Sequence, residues 1–409
     1  MDFAAKLDRL GEVAVRIGLG LREGQELVMT APIEALPLAR RITEHAYRAG
    51  ASLVTTLYGD DVATLARFRQ GHDGGFDTAA GWLYEGMAKA FSNNAARLAI
   101  AGDDPALLAA EDPERVSRAN RARSKAYQPA LQRIVDFHIN WSIVSYATPA
   151  WARNVFPDLN EAEAVEALWE AIFAASRISE ADPVEAWKAH NARLHDRRLY
   201  LNERRFSALR FRGPGTDLTV GLADDHEWAG GSESARNGII CNPNIPTEEV
   251  FTTPHALRVD GRVRSTKPLS YQGTLIEGIE VRFAEGRIVE AHATTGESVL
   301  KRVLETDAGA SHLGEVALVP ASSPIAKSGV LFYNTLFDEN AASHIALGQA
   351  YNKCIRNYEA LSEEELVARG ANRSLIHIDW MIGSSEIAVD GLAADGSAQP
   401  VMRGGEWVL

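Results

Sequence analysis

Between residues 26 and 150 the chain alternates short apolar runs with longer helical stretches, and this alternation constrains the fold more than any other feature. The run ELVMTAP reads as a strand and IEALPLARRITEHAYRAG as the helix after it, with Gly50 placed to cap its C-terminus. ASLVTTLYG is a second strand, followed by the helical DDVATLARFRQG. ARLAIAGDDP and WSIVSYATP are two more, each followed by helical sequence rich in Ala and Leu. Such a pattern predicts an α/β domain with a mainly parallel, Rossmann-like sheet. Sheets of this kind often bind nucleotides, yet no strand here leads into GxGxxG or a Walker-type phosphate loop. GLGLREG has the wrong glycine spacing and precedes a strand, so the fold carries no nucleotide signal.

A chain of 409 residues exceeds one ordinary core. NEAEAVEALWEAIFAASRI and DPVEAWKAHNARLHDRRLYLNER read as long amphipathic helices bridging two domains, expected at 1–195 and 196–409. Beyond residue 195 the periodicity changes. FSALRFRGPGTDLTVGL is two alternating runs around a Gly-Pro-Gly turn, a hairpin signal. HALRVDGRV, GIEVRFAEGRIVEAHA, EVALVP and GVLFYNT continue as strands. The second domain is therefore expected to be a strand-rich, mostly antiparallel α+β domain, with NAASHIALGQAYN as its one clear helix.

The formal net charge of -13, without basic runs, argues against nucleic acid and against a polybasic membrane-surface mode. Cys241 and Cys354 form no CxxC pattern, so neither a disulfide framework nor a thiolate zinc site is expected, and a reducing cytoplasm fits. The N-terminal stretch is charged throughout and reads as an amphipathic helix, not a signal peptide. No apolar run reaches the roughly 18 residues of a membrane span.

Four polar features need explanation. In SLIHIDWMIGSSE a strand would aim His377 and Asp379 to one side and Ile378 and Trp380 to the other. That pairs a nitrogen with a carboxylate, suited to a metal but equally to a hydrogen-bonded pair on a solvated face. Read as a helix, ENAASHIALGQAYN places His344, Gly348 and Tyr351 on one face, with Asp338 as an ordinary N-cap. In TEEVF the adjacent Glu248 and Glu249 would face opposite sides, one inward and one solvated. Glu315 opens an apolar strand at its rim. Each feature alone also suits a purely structural role. Together they supply three carboxylates and two histidines, a set able to hold two divalent ions about 3.5–4 Å apart with one carboxylate shared.

NIPTEEVFTTP, SSPIAKSGVLFYNTLFDENAASHIALGQAY and HIDWMIGSS, in that order, resemble the signature segments of the thermophilic-type metallo-aminopeptidases, the AmpS/PepS-like family. The resemblance covers essentially the whole chain. It implies a cytoplasmic, homodimeric exopeptidase in which two divalent ions (zinc, cobalt, manganese or magnesium) activate a water against the first bond of peptides with a free N-terminus. It implies Glu249, Glu315, His344, His377 and Asp379 as metal ligands, Glu315 also as bridge or general base, and Tyr351 at the active site. It further implies that the first domain helps enclose that site. Two alternatives stay open at this level: another dinuclear hydrolase, such as a carboxypeptidase, dipeptidase or amidase, and a non-enzymatic protein that binds a small ligand beside structural His, Asp and Glu groups.

Overall fold

A computed structural model of the chain describes residues 1–271 and 274–408. It comprises two compact units, Met1–His190 with Ser232–Pro246, and Asn191–Gly231 with Thr247 onward.

The first unit is built on β1 (Glu26–Pro32), β2 (Leu53–Gly59), β3 (Ala96–Ala101) and β4 (Trp141–Ser145), in the spatial order β2-β1-β3-β4. Every pairing is parallel, as the strand–helix alternation predicts. The helix after β1, Leu36–Arg48, ends before Gly50, whose φ of +91° takes the left-handed turn that a side chain would strain. Acids follow the carboxyl ends of three strands: Glu34 after β1, Asp60 and Asp61 after β2, Asp103 and Asp104 after β3. Burial, then the charges of Asp103 and Glu34, pushes the Asp61 carboxyl up. An edge this acidic repels phosphate where a nucleotide would sit, in keeping with the missing glycine-rich loop.

In the second unit the predicted hairpin forms between β5 (Ala208–Gly213) and β6 (Thr216–Leu222), closing at Gly213 opposite Thr216. It lies inside an eight-stranded sheet with β8 (Pro254–Arg264), β9 (Glu280–Ala284), β10 (Arg287–His292), β14 (Ala388–Leu392), β15 (Ala398–Arg403) and β16 (Glu406–Trp407). The order is β10-β9-β8-β6-β5-β14-β15-β16. A smaller antiparallel sheet runs β13 (His377–Met381), β12 (His344–Gly348), β11 (Leu313–Leu318), β7 (Val250–Thr252). Leu209, Phe211, Leu218 and Val220 of the larger sheet share one core with Val316, Leu318, Ile345, Leu347 and Trp380 of the smaller. Burying each such side chain contributes about 1.5–3 kcal/mol.

Three expectations are corrected here. His344–Gly348 is a strand, not part of a helix. Its spacing suits a helix, but β11 and β13 each hydrogen-bond to it along one edge, and that tertiary pairing overrides local preference. The segment GVLFYNT is irregular, not a strand. Its backbone is held by the buried carboxylate of Asp338, which accepts the N–H groups of Phe332 at 2.8 Å and Asn334 at 3.0 Å. Asp338 is thus not the N-cap; Asn334 caps the short helix Thr335–Asp338 through the Leu336 N–H. Among the described residues no helix is long and apolar enough to cross a membrane.

Trp380 is 1 % exposed on the core face of β13. Trp380→Ala should lower unfolding free energy by about 3–5 kcal/mol, read from denaturant-induced unfolding.

Candidate metal centre

The smaller sheet has two unlike faces, and its register shows why. Directly opposed residues of an antiparallel pair share a face. Ala317, His344 and Met381 form one row across β11, β12 and β13; Glu315, Ala346 and Asp379 form the next; Gly348 and His377 form a third. All eight lie on one side. Between them, Val316, Leu318, Ile345, Leu347, Ile378 and Trp380 point to the other side and are buried. Period-two alternation on three strands thus sends the branched aliphatic side chains and Trp380 to the core and gathers the polar groups opposite. Ala317, Ala346 and Gly348 lie among the polar groups and leave them room.

Gly348 has φ +100°, and a Cβ there would meet the Ile376 carbonyl oxygen at 2.1 Å. Glycine therefore lets the chain leave β12 beside β13. The next residue, Gln349, then presents its carbonyl to His377 Nδ1–H at 2.8 Å. A carbonyl can only accept, so Nε2 is left facing the carboxylates, 3.1 Å from Glu315 Oε2 and 3.3 Å from Asp379 Oδ1. His344 is oriented in the same way. Its Nδ1–H donates to Ala342 O at 3.1 Å, and Nε2 lies 3.2 Å from Glu249 Oε2.

Two groups of donor atoms result, each with its atoms within 4.8 Å of one another: Glu249, Glu315 and His344, and Glu315, His377 and Asp379. The five residues singled out from the sequence converge, and Glu315 belongs to both groups. Tyr351 joins them from the loop after β12, its ring centroid 4.8 Å from that of His377 and 5.4 Å from that of Phe251. It reaches the site by this route and not along a helical face. Glu315 is not at a strand rim but within β11 and 3 % exposed. Glu248 is also buried, against the expectation of solvation. Its N–H donates to Asn340 Oδ1 at 2.7 Å, and its charge supports the half-buried guanidinium of Arg197. Glu339, half-buried next to the site, is not among the residues that the sequence singles out. Its only signal was an acid in the turn ahead of the HxAxG strand.

The electrostatics describe a cluster short of positive charge. Burial pushes the Glu315 carboxyl up; His377 draws it down, Asp379 and Glu249 drive it up again, and it settles at about 7. Burial disfavours a charged imidazole at His344, but Glu249, then Glu315 and Asp379, outweigh it and hold the ring up to about 10. At His377 burial is likewise overcome, by Asp379 and Glu315, and the ring is pushed up to about 12. Burial would raise Asp379, yet the charge of His377, paired with it at 3.3 Å, brings it below its usual range. Two buried oxygens, Glu249 Oε2 and Asp379 Oδ1, are in ion-pair contact with the imidazoles, 3.2 Å from His344 Nε2 and 3.3 Å from His377 Nε2, but outside hydrogen-bond geometry. Orphaned carboxylate oxygens beside oriented imidazoles, with no thiolate, fit a hard or borderline divalent cation.

A buried set of oxygen and nitrogen donors of this kind suits a metal-binding protein. Residues 3–407 match the family model described as Thermophilic metalloprotease (M29), and the chain belongs to that family of metallopeptidases. It is 55 % identical over 407 residues to aminopeptidase T of Thermus thermophilus, covering 100 % of this chain and 99 % of that protein. It is 42 % identical over 408 residues to aminopeptidase AmpS of Bacillus subtilis, covering 100 % of both. A solved structure of wild-type AmpT from Thermus thermophilus superimposes with a TM-score of 0.94 at 54 % identity, with 100 % of each chain covered.

Two outcomes follow from this geometry. Ala346→Leu should place a branched side chain between the donors, so elemental analysis should find metal lost while the far-ultraviolet circular dichroism is kept. Without metal, the folded-state values of Glu315, His344 and His377 all lie above their ordinary 4.5 and 6.5. The folded state then holds more protons than the unfolded state. The stability contributed by Glu315 is complete below 4.5 and lost as pH rises through about 7. That of the histidines is complete below 6.5 and lost toward about 10 and about 12. Chelator-treated protein should therefore melt at falling temperature from about pH 5 to pH 8, and Glu315→Gln should flatten that slope.

Proposed function

We propose that this chain is an aminopeptidase that hydrolyses the first peptide bond of substrates with a free N-terminus, at a centre of two divalent ions. One ion would be held by Glu249, Glu315 and His344, the other by Glu315, His377 and Asp379. The observation that carries this reading is the presence of Glu315 in both donor groups, as a bridging carboxylate requires. When bound, such a pair supplies a water acidic enough to attack near neutral pH and a Lewis acid for the substrate carbonyl.

The chain's own residues do the rest. The Gln349 and Ala342 carbonyls fix the two imidazoles with Nε2 inward. Glu315 is the candidate to take a proton and return one to the leaving amine, a role that requires one of its oxygens to stay free of the ions. Glu248 is the weaker choice for that step, since it lies on the other side of the chain from Glu249. Tyr351 is 39 % exposed as a residue, but the protein packed around its phenol and the charges of Glu315 and Asp379 push that group up, so it keeps its proton at neutral pH. It can therefore donate a hydrogen bond to the oxygen on which negative charge develops. The second unit is the catalytic domain on this reading. A cytoplasmic homodimer, with zinc, cobalt, manganese or magnesium as the metal, completes the proposal.

Reconstitution of stripped protein with each of the four metals, assayed on leucyl and other unblocked substrates, tests the reading. Glu249→Ala and Asp379→Ala should each lose bound metal and activity together. Two metals and an undiminished rate in Glu249→Ala would refute the ligand assignment. Cleavage of N-acetylated peptides at a comparable rate would instead favour a dipeptidase or amidase, and a metal-free protein indifferent to added cations would favour a binding protein. Size-exclusion chromatography with light scattering should find a dimer.

A further inference from the structure

Glu339 belongs to neither donor group, yet it is fixed close to both. It opens the turn Glu339–Ala341, which three contacts hold in place. Asn340 donates to Leu336 O at 3.1 Å and accepts the Glu248 N–H at 2.7 Å, and Ser323 Oγ donates to Asn340 O at 2.9 Å. The bond to Glu248 ties the turn to the segment that carries Glu249.

Glu339 and Asp379 line the same small cavity, with Tyr333, Asn334 and Met381 among its other walls. Its volume is about 40 Å³. A water needs roughly 10–15 Å³ of such space, so the cavity admits an ammonium group but not an amino-acid side chain. Asp379, with its side chain 8 % exposed, brings to this wall a carboxylate whose Oδ1 is in ion-pair contact with His377 Nε2 at 3.3 Å. Among the described residues no Lys, Arg or His forms an ion pair with Glu339. Its one hydrogen bond, from Asn340 Nδ2, is long at 3.5 Å. A carboxyl so placed is short of a cation.

We infer that Glu339 receives the positively charged α-amino group of the peptide's first residue in this cavity. The inference rests on the aminopeptidase reading and adds to it the group that would distinguish a free N-terminus from a blocked one. An α-ammonium is the cation that every such substrate brings, it matches the cavity in size, and its N–H groups suit a carboxylate acceptor. Anchored there, it would hold the first peptide bond at a constant distance from the metal ligands.

The test uses metal-loaded full-length protein titrated calorimetrically with leucine hydroxamate and with 4-methylpentanohydroxamic acid, which lacks the amine. The wild type should prefer the amine-bearing compound by about thirty-fold or more, the usual worth of a hydrogen bond to a charged group. Glu339→Gln should keep its metal by elemental analysis and lose that preference to within about three-fold, and Glu339→Asp should restore part of it. Retained metal with an unchanged preference in Glu339→Gln would overturn the inference and leave the aminopeptidase reading standing. Loss of metal from both variants would overturn it in favour of Glu339 as a ligand. A wild type that does not hydrolyse unblocked peptides would refute the underlying reading, and the inference with it.

Discussion

Carboxylates gathered in a protein interior cannot all ionise unless positive charge arrives with them. Glu249, Glu315 and Asp379 are each less than one-tenth exposed in their side chains, and the half-buried Glu339 lies beside them. Protonated His344 and His377 answer part of the demand, which is why both rings are held far above the ordinary value. Divalent cations answer it better, because they displace those protons and satisfy the orphaned oxygens at the same time. The local architecture can be understood as a means of keeping this repulsive cluster assembled until the cations bind.

The means is the smaller sheet. Three ligand-bearing strands turn a continuous apolar face into a core shared with the larger sheet, so that each strand is held by burial and not by its polar groups. The repulsion is concentrated on the opposite face, where alanine and glycine alternate with the donors. Backbone carbonyls at Ala342 and Gln349 then set the imidazoles without adding charge. Asn340 performs a similar neutral task, joining the turn of Glu339 to the segment of Glu248 and Glu249.

Much of this could be read in the sequence, and for identifiable reasons. HIDW alternates polar with apolar, and a strand obeys that alternation whatever its surroundings, so the sides taken by His377, Ile378, Asp379 and Trp380 follow from period alone. The four parallel strands and the β5–β6 hairpin were legible because their apolar runs are bounded by turn residues. SHIALGQAY was not. Its small residues and its i, i+4, i+7 spacing suit a helix, and only the two neighbouring strands, far away in sequence, make it a strand. Glu248 was misjudged because an acid in a proline-rich loop gives no sign of a distant arginine. Glu339 was passed over because its significance lies in a cavity, and a cavity has no sequence pattern. Asp338 illustrates the same limit, since its N–H partners at Phe332 and Asn334 precede it in a loop without periodicity.

The ligand residues run from Glu249 to Asp379, on or beside four strands of the smaller sheet. A cation held between them fastens points 130 positions apart along the chain. The folded state binds it and the unfolded state does not, so folding becomes linked by mass action to the free metal around the protein. Each tenfold rise in that concentration above the dissociation constant adds about 1.4 kcal/mol per site. Resistance to heat and to proteolysis would then be set partly by the surrounding supply of metal. The same chain could be robust in one medium and fragile in another with no change in its fold.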